Sequence, residues 1–349
     1  MSKKENVRNM DKYEYFYNIL SKSNYKPLFK KDEYTKDQNY DFIHKKCNTQ
    51  FNYPLQLNKI PICPKCQPKK SENYLNELSK FISKYDNNII QNHIIDNHTI
   101  DIFLPNYNLA IDINYLYYYT DRNGFGRNYF IDIKKNLLKN DISYFNIMED
   151  ELMSTPNIIK SMILNKMKKL PKTIYARNCK PGITSNSKAK QFLENNHLQG
   201  NLHSKYNFGL YHKTELVSLL TMGYSRYNEN YEYEIHRFSS KLGYNVPGGF
   251  SKLLKFAIQK LNSTKIITYV DLRHGTGNVY KISGFNYLNY SYPNYFYVNN
   301  YKRQSRVQYQ KHKLKDKLDF FDGNLTEWEN MQINDFDRIW DCGNSVFAL

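Results

Sequence analysis

A chain of 349 residues has room for two or three domains, and its 50 Lys and Arg against 33 Asp and Glu leave a net charge of +17. That excess points to a polyanionic partner, nucleic acid first; no apolar run approaches the roughly 18 residues of a spanning helix, which excludes a helical membrane protein. Met1 to Glu5 carry no apolar signal region, which predicts a cytoplasmic protein whose Cys179 and Cys342 stay reduced. Tyrosine occurs 33 times beside abundant Asn, Lys and Ile, as in AT-rich coding sequences, so part of the lysine and tyrosine content reflects codon bias.

The spacing of Tyr13, Phe16, Tyr17 and Leu20 predicts a helix over 11–20 capped by Asp11. Residues 40–66 carry His44-x-x-Cys47, fifteen intervening residues, and Cys63-x-x-Cys66. Two chelating pairs at this spacing predict a structural zinc site. Each gap forms a tight knuckle, and three thiolates with one imidazole close a tetrahedron without an open position. The basic segment Gln67 to Ser71 reads as a linker that ends a first domain over 1–70. Ser71 is placed to cap a helix reaching Tyr85, with Leu75, Leu78, Phe81 and Ile82 inward. Strands follow over 89–93, 99–104 and 109–114, with a turn from Asn106 to Asn108. A helix over 129–140, a strand over 143–148 and a helix over 156–169 complete the set. The order α-β-β-β-α-β-α predicts a compact α/β domain over 71–170.

Asp101 and Asp112 stand on neighbouring predicted strands, where two carboxylates can hold Mg²⁺ against phosphate oxygens. Their setting resembles the Vsr-like branch of the PD-(D/E)XK nucleases found in phage homing endonucleases. Those chains run I-D-I-x-x-P, then I-E-x-N-G-L-Y-W-H, then a strand ending in E-D-E. Here the matching residues are Ile100-Asp101-Ile102 with Pro105, then Ile111-Asp112-Ile113-Asn114 through Tyr119, then Glu149-Asp150-Glu151. The match covers about fifty residues, and a preceding zinc ribbon is usual in such proteins. The resemblance implies a Mg²⁺-dependent nuclease with Asp101, Asp112, Glu149 and Glu151 at its centre. It also implies double-stranded DNA as substrate and a phage-infected or bacterial cell as setting. The family's glycine is Tyr115 here, its first histidine Tyr119, its second Phe130 and its helical acid Leu75, with Glu72 and Glu77 nearby. A tyrosine of pKa near 10 is a poor base at neutral pH, so a degenerate core that binds DNA without cutting is the competing expectation. Taken singly, Asp112 reads as a carboxylate paired with lysine, Glu149 to Glu151 as acids at a helix N-terminus, and His93 and His98 as surface residues.

Pro171 marks a second boundary. Beyond it the pattern predicts a helix over 187–195, a hairpin over 208–211 and 216–223, and a strand over 231–238. Gly248-Gly249 opens a helix over 251–261; a strand over 265–270, a helix over 278–283 and two tyrosine-rich strands within 285–298 follow. Small residues at Gly249 and Ser251 let backbone N–H groups at a helix start approach a pyrophosphate. Asn278 to Phe285 is similar to the N-x-x-x-x-Y-x-x-x-G-F region of GNAT acetyltransferases. With the element order over 185–298, this makes the third domain, 171–349, resemble the GNAT fold, an outline shared by Mom-type phage DNA modification proteins. The resemblance implies that Gly248, Gly249 and Ser251 would face the phosphates of acetyl-CoA, although the family's loop Arg or Gln is Val246 here. His236, Arg237, Asp271, Arg273 and His274 are the polar candidates of this domain, with an Asp–Arg loop brace as the plainer reading.

Lys302, Arg303, Arg306, Lys311 and Lys313, continued by Lys315 and Lys317, form a basic stripe with Tyr301 and Tyr309 between them. It suits DNA phosphates and bases, or else a solvated helix face, and precedes an acidic, Trp-containing tail. The expectation is an α/β multidomain chain acting as a homing-type DNA endonuclease. The alternatives are a GNAT-fold nucleic-acid modification protein with an inactive nuclease core, and a DNA-binding protein without catalysis.

Overall fold

The computed structural model describes residues 12–35, 38–55, 59–66 and 73–349. Asp11 and the predicted linker Gln67 to Ser71 lie outside the described residues. The protein is mixed α/β with several sheets and forms two compact units, each assembled from distant stretches of sequence. The first takes Met1–Glu72, Tyr115–Tyr129 and Tyr295–Trp340. The second takes Asn73–Asn114, Phe130–Asn294 and Asp341–Leu349, so residues on both sides of Pro171 belong to it.

In the first unit, helix Lys12–Lys22 sends Phe16, Ile19 and Leu20 into a core with Tyr25, Phe42, Leu55, Ile60 and Cys63. Leu325 and Ile333, far away in sequence, close the same core. Strand Tyr25–Pro27 pairs with Asn39–His44, and that strand with Thr49–Pro54, all antiparallel. Asn39–His44 alternates exposed and covered residues, as a strand with one buried face must. A second sheet runs Lys302–Ser305, Tyr295–Asn299, Asp337–Trp340. The basic stripe is therefore one strand and two 3-10 turns, Arg306–Tyr309 and Lys311–Asp316, rather than a helix face. The Trp340 Nε1–H donates to Asp121 at 2.9 Å, which ties Tyr115–Tyr129 to this sheet.

The second unit holds two larger sheets. The smaller follows the order Ile90–Ile95, His98–Leu104, Leu109–Asn114, Ser143–Met148. Its first three strands are antiparallel and its last two parallel, joined through helix Tyr129–Lys139. A parallel pair needs such a crossover, and Leu109–Asn114 is buried along its whole length, as an inner strand covered on both faces requires. Helix Tyr74–Ile82 precedes these strands, giving the expected α-β-β-β-α-β order, and Leu78 and Ile82 are its buried apolar residues.

The larger sheet has seven strands: Asn286–Tyr290, Asn344–Ala348, Ile266–Asp271, Tyr233–Ser240, Glu215–Tyr224, Tyr206–His212 and Lys180–Ile183. Helix Gly249–Leu261 lays Leu253, Leu254 and Ala257 against Phe208, Leu210, Val217, Leu220 and Met222. Two outcomes differ from the pattern in the sequence. The two tyrosine-rich strands separate, Asn286–Tyr290 into this sheet and Tyr295–Asn299 into the first unit. The end of the chain is not a tail: Asn344–Ala348 runs between Ile266–Asp271 and Asn286–Tyr290, with Phe347 1% exposed.

Candidate functional site

The ribbon residues meet. His44 Nδ1 lies 3.1 Å from Cys47 Sγ and 3.3 Å from Cys66 Sγ, and Cys47 Sγ lies 3.6 Å from Cys63 Sγ. All four ligand atoms fall within 4.8 Å of one another, a cluster able to hold a metal ion. Ligands about 2.0–2.3 Å from a tetrahedral zinc stand roughly 3.5–3.8 Å apart, so the donor set fits that ion with little adjustment. The first knuckle is made by the Cys47 and Asn48 N–H groups donating to the His44 carbonyl, with Asn48 in the left-handed region at φ 53. His44 Nε2 faces Asp335 Oδ2 at 3.7 Å, the carboxylate–histidine arrangement that leaves Nδ1 as the ligand. Burial and the neighbouring thiols push Cys66 up to about 12. Against burial, hydrogen bonding with Thr49 and His44 brings Cys47 down to about 6. A dication removes that mutual repulsion. Asp335 lies nearly three hundred residues from His44, and nothing in the local pattern marks it.

Asp101 and Asp112 face each other across the smaller sheet. The ladder between their strands stops at Ile102 and Ile111, one position before them. There the carboxylates replace it: the Asp101 N–H donates to Asp112 Oδ1 at 3.1 Å and the Ile113 N–H to Asp101 Oδ2 at 2.7 Å. The Tyr144 hydroxyl donates to Asp112 Oδ2 at 2.9 Å and accepts from Asn146 Nδ2, also at 2.9 Å. Asn114 Nδ2 donates in turn to Asn146 Oδ1 at 2.5 Å. Burial first, and then the Asp101 charge, push Asp112 up to about 7; burial also raises Asp101.

The other predicted acids go elsewhere. Glu151 accepts at the Met148 N–H at 2.9 Å, and its two oxygens accept from Arg273 Nη1 at 2.9 and 3.1 Å. Among the described residues, Glu149 and Glu151 form no three-ligand group with Asp101 and Asp112. Arg273 also binds Asp271 at 3.1 Å and, despite its own burial, holds that carboxyl well below the usual range. Its carbonyl accepts from the Asn146 N–H at 3.0 Å. The brace reading of loop 271–274 holds, and the brace reaches across to the smaller sheet. Tyr119 belongs to the first unit, where its ring lies 4.9 Å from Phe125 and 6.2 Å from Tyr129.

The larger sheet opens a cleft. Tyr233–Ser240 and Ile266–Asp271 pair in parallel only from Tyr233 to Ile235, then part. The space of about 1140 Å³ is lined by both strands, by loop 271–275 and by Gly248, Gly249 and Ser251. Gly248 caps the helix at φ 77; the Gly249 N–H is already taken by the Val246 carbonyl at 3.0 Å, and Ser251 Oγ meets Ser283 Oγ at 3.1 Å. His236 sits where the register skips between Thr221 and Met222. Its ring lies over Gly223, where a Cβ would come within 2.5 Å of Cε1. Ser204 Oγ lies 3.0 Å from the Leu202 carbonyl oxygen and 2.8 Å from His236 Nδ1. Burial and then nearby arginines keep the cleft imidazoles neutral: His197 falls to about 3, His236 to about 4 and His274 to about 4.

In the basic stripe, Lys302, Arg306 and Lys311 are exposed and Arg303 and Lys313 half-buried. Arg306 Nε pairs with Glu327 at 3.2 Å, and Lys313 Nζ donates to the Val307 carbonyl at 2.8 Å. No helix among the described residues is long and apolar enough to cross a membrane. No protein-family model matches the chain, and no curated protein matches it.

Proposed function

We propose that this protein is a metal-dependent DNA endonuclease of the homing type, with a zinc ribbon as a structural module. One observation carries the reading: Asp101 and Asp112 oppose each other where their strands stop pairing, in a sheet of order α-β-β-β-α-β. Asp101 and Asp112 would hold Mg²⁺, which would supply Lewis-acid stabilisation of the charge that develops on a phosphodiester as it is cleaved. Asp101, half-buried, is the better placed to meet substrate; Asp112, buried, is the anchor. The charge of +17 and the exposed Lys302, Arg306 and Lys311 supply attraction to the duplex. Zinc is assigned to His44, Cys47, Cys63 and Cys66 on the donor set and the spacing of the ligand atoms.

The test is nicking of plasmid DNA with and without Mg²⁺. Asp101→Asn keeps the shape and removes a charge the metal needs; it should abolish cleavage and leave DNA affinity unchanged or slightly raised. Wild-type protein that never nicks DNA in Mg²⁺ or Mn²⁺ sinks the reading.

A second reading is favoured by the parted strands. A cleft between diverging parallel strands, with Gly248-Gly249 at its helix, suits a GNAT-type acyl-CoA. Calorimetric titration with acetyl-CoA decides it, and micromolar binding would move the chemistry from the carboxylates to the cleft.

A further inference from the structure

The cleft has an aromatic mouth that neither reading uses. Loop 225–232 joins Glu215–Tyr224 to Tyr233–Ser240 and holds Tyr227 74% exposed beside the cleft, which it lines together with Arg226 and Tyr269. The Arg226 guanidinium lies 5.2 Å from the Tyr227 ring centroid. Its Nε donates to Glu234 Oε2 at 3.2 Å, and Glu234 is 2% exposed, so the cation is fixed from below. Tyr269 meets Tyr227 edge-on at 5.8 Å and 88°. The loop is held by its own bonds: Ser225 Oγ donates to the Asn228 carbonyl at 2.7 Å, and the Asn230 N–H to Asn228 Oδ1 at 3.1 Å. On the adjoining strand Tyr224 is 57% exposed, with Lys205 Nζ 4.2 Å from its ring and Tyr233 stacked at 5.9 Å.

We propose that Tyr227, with Arg226 and Tyr269, is a stacking subsite for an unpaired DNA base whose strand continues past Tyr224. An exposed phenol ring beside a pinned guanidinium offers a base a π-face and a cation. The local charges decide what kind of contact this is. Arg226 is already paired with the buried Glu234, so phosphate neutralisation by this cation contributes little and stacking carries the affinity. The surplus charge elsewhere on the chain brings the polyanion to the site. The inference is independent of cleavage at Asp101 and Asp112.

The experiment is fluorescence anisotropy with an end-labelled oligonucleotide, single-stranded or annealed, in Mg²⁺-free buffer over a series of salt concentrations. Tyr227→Ala should weaken single-strand binding about 5- to 150-fold, leave duplex binding within about twofold and leave the salt slope unchanged. Tyr227→Phe, which keeps the ring, should bind as wild type does. Equal single-strand affinity for wild type and Tyr227→Ala overturns the proposal, as does an equal loss on single strand and duplex. A tenfold preference for RNA of the same sequence overturns the assignment to DNA. Both variants alter an exposed side chain, and unchanged thermal melting of Tyr227→Ala separates lost stacking from lost fold.

Discussion

A buried carboxyl that titrates near neutrality makes the metal-free protein sensitive to pH. Asp112 rises from 3.8 to about 7, so the folded chain binds its proton more tightly than the unfolded chain does. Its contribution to stability is complete below pH 3.8 and is lost as pH climbs through 7; Asp101, also raised, adds with the same sign. The lowered His197, His236 and His274 act with the opposite sign and favour high pH in wild type and variant alike, so the Asp112 contribution is read as a difference: in Mg²⁺-free buffer the urea midpoint of wild type relative to Asp112→Asn should fall as pH rises from about 5 to about 8. On the proposed role of Asp101 and Asp112, Mg²⁺ would have to displace that proton, so its apparent affinity should rise between about pH 6 and pH 8, read by a shift in melting temperature. At the ribbon, Cys63→Ser removes a fully buried ligand atom and should release the ion, measured by elemental analysis. The meeting of the four ribbon residues was legible because a metal cluster demands those residue types at short spacing, and the neighbouring placement of Asp101 and Asp112 because their strands could be read from pattern. Tyr144, Asn146 and Asp335 were not, because each acts through a partner reached only by the tertiary path of the chain.

Between elements, the bond that matters most is a buried ion pair. Arg273, 3% exposed, carries Asp271 of the larger sheet and Glu151 beside the smaller one. Removing one partner of such a group leaves buried charge uncompensated, which costs about 3–5 kcal/mol. Arg273→Met should lower the unfolding free energy by that order, whereas Arg273→Met with Glu151→Met should recover part of it; urea denaturation of the two variants checks the sign. Element types in the second unit followed from periodicity, including the run Leu-Ala-Ile-Asp-Ile-Asn, whose apolar density marks an inner strand. The place of Asn344–Ala348 did not, since five residues of pattern name a strand but not its neighbours. Nor did the parting of Asn286–Tyr290 from Tyr295–Asn299, which depends on two sheets competing for one tyrosine-rich stretch.

For the whole molecule, charge predicts behaviour that no single residue does. Binding to duplex DNA should weaken steeply with salt, and Lys302→Ala with Lys311→Ala should lower the slope of log K against log salt by about 2 while leaving sequence preference alone. A flat response would remove the basic stripe from the interface. The same scale explains why the linear reading of domains was limited: composition shifts mark linkers, but cannot show which later segment returns to an earlier core, as Leu325 and Ile333 do to Phe16 and Leu20.

That return has a practical corollary. The chain changes unit after Glu72, Asn114, Tyr129, Asn294 and Trp340. No single cut therefore divides it into two self-sufficient pieces. A fragment ending at Pro171 would keep the ribbon ligands but lack Asp335 and the strands Tyr295–Asn299 and Asp337–Trp340. It would also strand Glu151 without Arg273. Such a fragment should be insoluble or molten, read by the loss of a cooperative unfolding transition. Because each unit is threaded from several separate stretches, exchanging one stretch alone would leave both units short of part of their core.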